Sequence, residues 1–157
     1  MIARIVAMLA LAGASVAASF RDAPTVVRER YADGAVKREA ESRDGKLDGT
    51  VRGWFPNGAL QYERTYAQGR ETGTHRGWHD NGAARFEYHY KDGEMDGVAR
   101  EWSREGKLLS EFHFVAGHEA GQQRMWNDDG SIRSNYVVQD GRRYGLIGAM
   151  GCSGTAK

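Results

Sequence analysis

Arginine and tryptophan recur together along this chain, as Arg52 with Trp54, Arg76 with Trp78, Arg100 with Trp102 and Arg124 with Trp126, at a step of 24 residues. A guanidinium two residues from an indole on one strand can stack on it, and Tyr62 or Phe86 on a neighbouring strand offers a further ring. Such a ladder suits recognition of a partner surface or of a stackable polymer. It reads equally as the side-chain column that holds a repetitive sheet together. A second set, His75, Glu87 and His113, would supply nitrogen and carboxylate ligands for zinc or copper if the three converged above Gly97, and would otherwise be part of a solvated polar face. The sequence has no Gly-x-Ser-x-Gly elbow, Walker loop, dinucleotide fingerprint, zinc-type cysteine pair or c-type haem attachment. No catalytic residue, metal or cofactor is assigned, and the chain reads as non-enzymatic.

The elements that must carry these side chains are legible in the glycines. They recur in phase at Gly34, Gly58, Gly82, Gly106 and Gly130, and again at Gly45, Gly69, Gly93, Gly117 and Gly141. A third series runs Gly49, Gly73, Gly97, Gly121 and Gly145. A fixed period without insertions marks an array whose units bury apolar surface only against their neighbours. Between the glycines the residues alternate, as in Ala84, Phe86, Tyr88 and Tyr90 against Arg85, Glu87 and His89. Period two with aromatic enrichment means strands. The expected fold is all-β: an elongated, twisted antiparallel β-meander of repeated hairpins, five units of 24 residues and about ten strands.

Turn chemistry sets the expected register. Pro56-Asn57-Gly58 reads as a three-residue loop with a type I turn and glycine in the left-handed position, which pairs Trp54 with Leu60 and Arg52 with Tyr62. If Ala67-Gln68-Gly69 turns the same way, Glu63 falls opposite Gly73, and Glu39, Glu87 and Glu111 fall opposite Gly49, Gly97 and Gly121. This register gathers the tryptophans, arginines and tyrosines on one face and sets the glutamates against glycines on the other.

Composition bounds the rest. The 157 residues, 40% hydrophobic and 27% charged, suit one domain. Arg4, an apolar run from Ile5 to Ala12 and a small-residue Val16-Ala17-Ala18 site read as a signal peptide over residues 1–18. A repeat domain then spans 19–147, and a Gly-rich tail spans 148–157. Without Arg4 the 22 Lys+Arg become 21, equal to the 21 Asp+Glu, so no net field favours nucleic acid. Leader cleavage would leave no transmembrane segment, and the protein would be exported, to the periplasm or beyond. Cys152 is the lone cysteine, so no intrachain disulfide can form.

The pattern Glu-x-x-Tyr/Phe-x-x-Gly-x-x-x-Gly-x-x-x-x-Trp-x-x-x-Gly runs through Glu63, Tyr66, Gly69, Gly73, Trp78 and Gly82, and again through Glu87, Tyr90, Gly93, Gly97, Trp102 and Gly106. It resembles the MORN-repeat variant, the module of proteins labelled YwqK-type antitoxins, over residues from about 25 to 147. The outer units depart from it, with Arg30 in place of tryptophan, Ser42 in place of the aromatic, and Asn135 and Val138 in place of Glu and Tyr/Phe. The resemblance implies a hairpin meander used to bind partners. The function expected is an interaction scaffold of the bacterial envelope with a protein partner, self-association included. A glycan or cell-wall polymer module, or an immunity protein against an envelope-acting toxin, are the alternatives.

Overall fold

The computed structural model describes residues 23–148, so the expected leader, the tail beyond Gly148 and Cys152 lie outside the described residues. The strands, in chain order, are β1 (Thr25–Arg30), β2 (Val36–Arg43), β3 (Lys46–Trp54), β4 (Leu60–Ala67), β5 (Arg70–Trp78), β6 (Ala84–Lys91), β7 (Glu94–Met95), β8 (Gly97–Trp102), β9 (Leu108–Val115), β10 (His118–Glu119), β11 (Gly121–Trp126), β12 (Ile132–Gln139) and β13 (Arg142–Leu146). They form one open antiparallel meander that follows the chain without crossovers, in the order β1-β2-β3-β4-β5-β6-β8-β9-β11-β12-β13. The short β7 and β10 pair with β6 and β9. The all-β repeated-hairpin architecture is therefore as expected, with 13 strands.

Two kinds of turn alternate. At the first kind, Phe55 donates its N–H to Ala59 O at 2.9 Å and accepts from Gly58 N at 2.9 Å, closing the three-residue loop Pro56-Asn57-Gly58. Gly58 has φ +82°, and Asn57 Oδ1 accepts from Ala59 N at 3.0 Å. Where Glu105 replaces the asparagine, Ser103 Oγ takes over, accepting from Glu105 N and Lys107 N at 3.2 and 3.3 Å. Trp54 then pairs with Leu60, as expected. The second kind differs from expectation. Ala67 pairs with Arg70 across a two-residue turn, and both Gln68 (φ +51°) and Gly69 (φ +83°) are left-handed. The Asp-Gly dipeptides at 44–45, 92–93 and 140–141 adopt the same turn.

Bulges complete the correction. Next to each three-residue loop one strand carries an extra residue, so Gly53 pairs with Tyr62 and Arg52 with Glu63. Around Gly73 a wider bulge adds two residues to β5, between the pairs Thr65–Thr72 and Glu63–Arg76. Glu63 thus faces Arg76 rather than Gly73. Glu39, Glu87 and Glu111 likewise face Arg52, Arg100 and Arg124 rather than glycines. Because side chains alternate along a strand, these shifts move whole sets between faces. The tryptophans and arginines stay together, joined by the glutamates. Tyr62 and Phe86 lie on the opposite face.

That opposite face is the packed one. Its most enclosed side chains are Ala40, Val51, His75, Ala99, Gln123 and Tyr136, with Ser110 and Ser134 beside them. Tyr62 and Phe86 lie over Gly53 and Gly77, where a Cβ would overlap their rings. In the next units the sizes reverse: Glu101 faces Ser110 and Met125 faces Ser134. One large and one small residue per pair keeps the layer filled. Stacked loops tie units along both sheet margins: Asn57 Nδ2 donates to Asp80 O at 3.1 Å, Asn81 Nδ2 to Arg104 O at 3.0 Å, and Gly93 N to Glu71 O at 2.9 Å.

Candidate interaction surface

An unbroken column of alternating charge crosses the sheet on the tryptophan face: Arg28, Glu39, Arg52, Glu63, Arg76, Glu87, Arg100, Glu111 and Arg124, one from each of nine successive strands. At roughly 4.8 Å per strand it is about 38 Å long. Each of the first four arginines donates Nε–H to the glutamate of its own hairpin, at 2.6 Å (Arg28–Glu39), 2.7 Å (Arg52–Glu63), 2.9 Å (Arg76–Glu87) and 2.8 Å (Arg100–Glu111). Arg124 reaches Glu111 only at 3.9 Å, and its other neighbour in the column is Asn135. Cross-strand opposite charges stabilise a sheet by a few tenths of a kcal/mol each, up to about 1 kcal/mol. The recurrence of the glutamates is visible in the sequence. Their pairing with arginines 11 residues upstream is hidden by bulges that no single residue type announces.

Beside this column run the tryptophans. Trp54 pairs with Leu60, Trp78 with Ala84, Trp102 with Leu108 and Trp126 with Ile132. All four are half-buried, and successive ones are two strands, or roughly 10 Å, apart. Trp54 lines a shallow hollow of about 370 Å³ with Val36, Glu39 and Arg52. Trp78 and Trp102 line another of about 250 Å³ with Arg76 and Glu87. The expected residues Arg52, Trp54, Arg76, Trp78, Arg100, Trp102, Arg124 and Trp126 therefore share one surface. Tyr62 and Phe86 do not belong to it: Tyr62 stacks under Arg64, 4.9 Å from its ring centre, and Phe86 on Tyr88 at 4.8 Å.

His75, Glu87 and His113 are not brought together. His75 pairs with Tyr88 on the packed face, whereas Glu87 lies on the charged face between Arg76 and Arg100. His113 Nδ1 contacts Gln122 O at 2.6 Å. Among the described residues no group of three or more His, Cys, Asp or Glu is placed to hold a metal ion.

His75 serves the wide bulge instead. A bulge takes backbone groups out of the ladder, and buried ones need partners. The Nε2–H of His75 donates to Thr65 O at 2.9 Å, which makes Nε2 the protonated nitrogen of the neutral ring. Its ring packs against Tyr66 and Tyr90, with centroids at 5.7 and 4.5 Å. Burial lowers the His75 pKa, against the Thr65 bond and Glu71, which raise it, and with Arg64, which lowers it further. At the equivalent place in the fifth unit Gln123 accepts from His113 N at 3.0 Å and donates to His113 O at 2.9 Å.

The packed face also holds a concavity of about 490 Å³, lined by Arg64, His75, Arg85, Tyr88, Tyr90 and Glu101 among others. The Tyr88 hydroxyl donates to Glu101, and burial, followed by that bond, raises its pKa.

Comparison with known families finds the MORN repeat variant at residues 47–68 and 95–116. Each match covers one hairpin around a three-residue loop, and the two lie two periods apart. No curated protein matches the chain.

Proposed function

We propose that this repeat protein is an exported, non-enzymatic scaffold of the bacterial envelope that binds a protein partner through its tryptophan face. The observation that carries the reading is the file of four half-buried tryptophans beside a charge column that is already paired within the sheet. Tryptophan is among the residue types enriched in the few positions that carry most of an interface's binding energy, while charged pairs at the rim help to fix register. Because the column is close to neutral, the surface selects by shape and hydrogen-bond geometry rather than by long-range attraction. The two matched MORN repeat variants agree with a binding role. An immunity role is the special case in which the captured partner is an envelope-acting toxin.

The test is capture of partners from envelope extract with the wild-type chain and with the Trp78→Ala/Trp102→Ala variant. A protein retained by the first and lost by the second supports the reading, and retention unaffected by the substitutions sinks it. The roughly 10 Å repeat of the indoles also suits stacking on a linear glycan. Retention on a cell-wall polymer column that depends on the same two tryptophans would favour that second reading.

A further inference from the structure

The fifth unit changes character on the tryptophan face. Val137 stands where earlier units have His113, His89 and Thr65; Tyr144 stands where they have Ala120, Asp96 and Thr72; Leu146 stands where they have Gln122, Val98 and Thr74. Asn135 replaces the recurring glutamate. These side chains share a face, because Val137 pairs with Tyr144 and Asn135 with both Leu146 and Arg124. They are well exposed: Val137 39%, Tyr144 54% and Leu146 56%, with Ile132 at 54% nearby. Terminal repeats of an array ordinarily turn a polar face outward. This one turns an apolar face outward.

The backbone at the same end is also prepared for pairing. Strands meant to remain at an edge are blunted by charge or by bulges. The hairpin β12–β13 pairs Asn135–Gln139 with Arg142–Leu146 in unbroken register, without the wide bulge of the preceding hairpins, although Gly145 keeps a positive φ of +120°, and among the described residues β13 is the edge of the sheet.

Strand direction selects the partner. Along the antiparallel path β1 and β13 are first and eleventh, so they run in the same direction. Head-to-tail joining of copies would make a parallel pair, whereas β13 against β13 of a second copy makes an antiparallel pair like every other in the sheet. It is related by a two-fold axis that closes the assembly at two chains. With the axis at Tyr144, the tyrosine meets its own mate, Arg142 meets Leu146, and Arg143 meets Gly145. No like charges oppose each other. Arg143 lies on the opposite face from Tyr144, its guanidinium 5.3 Å from the Tyr136 ring centre and bonded to Glu119 at 3.0 Å.

The geometry points to a two-fold dimer joined through β13, which merges the two apolar patches and places both tryptophan files on one face of a continuous sheet. Sedimentation equilibrium of the purified chain reads it directly, with a dimer expected. Replacing the apolar side chains by polar residues drawn from equivalent positions, Val137→His/Tyr144→Asp/Leu146→Thr, weakens that dimer by at least about tenfold. In a Cys152→Ser background, Tyr144→Cys gives a disulfide-linked dimer on oxidation and Val26→Cys, on the opposite edge, does not; this pair reads the interface even if the triple variant unfolds. A wild-type chain that stays monomeric, as it would if its own tail covered the patch, overturns the proposal. So does crosslinking through Val26→Cys in place of Tyr144→Cys.

Discussion

The ring of Phe86 lies against Gly77, and a Cβ there would overlap three of its ring atoms. The fifth unit solves the same packing problem in reverse, with Met125 opposite Ser134. Gly77→Met alone should therefore destabilise the chain by about 1–3 kcal/mol through overpacking. Combined with Phe86→Ser it should cost less than the two single changes added together. Urea unfolding of all four proteins gives the coupling, and strict additivity would show that the two positions do not share space.

Acid should loosen the sheet at His75. Burial depresses its folded pKa below the ordinary histidine value of 6.5, so the unfolded chain binds the proton more readily. Stability from this group is fully present above pH 6.5 and falls as the pH drops from there towards the folded pKa. His75→Gln, which copies the buried Gln123 of the fifth unit, should flatten the stability profile across that window. Thermal melts of both proteins as a function of pH check it, and equal acid sensitivity would place the titration elsewhere.

Neutralising one carboxylate of the charge column should matter little for folding. Glu87 lies between Arg76 and Arg100 in a partly exposed setting, with side-chain exposures of 49% for Arg76 and 26% for Glu87. Glu87→Gln is expected to cost at most about 1 kcal/mol, and less at high salt. Denaturation at low and high ionic strength measures both. A much larger loss would mean that the column acts as one cooperative network.

Ala116 occupies a left-handed turn position, φ +48°, where three other units use aspartate. Asn tolerates that conformation better, and Ala116→Asn should stabilise the chain by up to about 1 kcal/mol. A rise in the melting temperature is the readout.

The sequence carries the hairpin array, its period and the Trp54–Leu60 pairing plainly, because each rests on a local signal such as Pro56-Asn57-Gly58. Asp44-Gly45 and its counterparts carry the two-residue turn just as plainly, but Gln68 and Ala116 in the same place obscure it. The bulges are not legible. Gly73 marks where the chain can bend without stating how many residues the bend consumes. Three residues of accumulated offset turn an arginine partner for Glu63 into an apparent glycine. His75 is obscured for the same reason: its burial follows from a bulge whose carbonyl it caps.

Apart from the short β7 and β10, which the path passes over, every strand in this sheet bonds only to the strands before and after it along the meander, and the stacked loops reach no farther than the following unit. Among the described residues, nothing closes the array from one end to the other. Pulled by its ends, such a chain should yield in a series of equal extensions, one 24-residue unit at a time. Its folding can be completed locally, from whichever unit is first available, without contacts beyond the neighbouring unit to wait for.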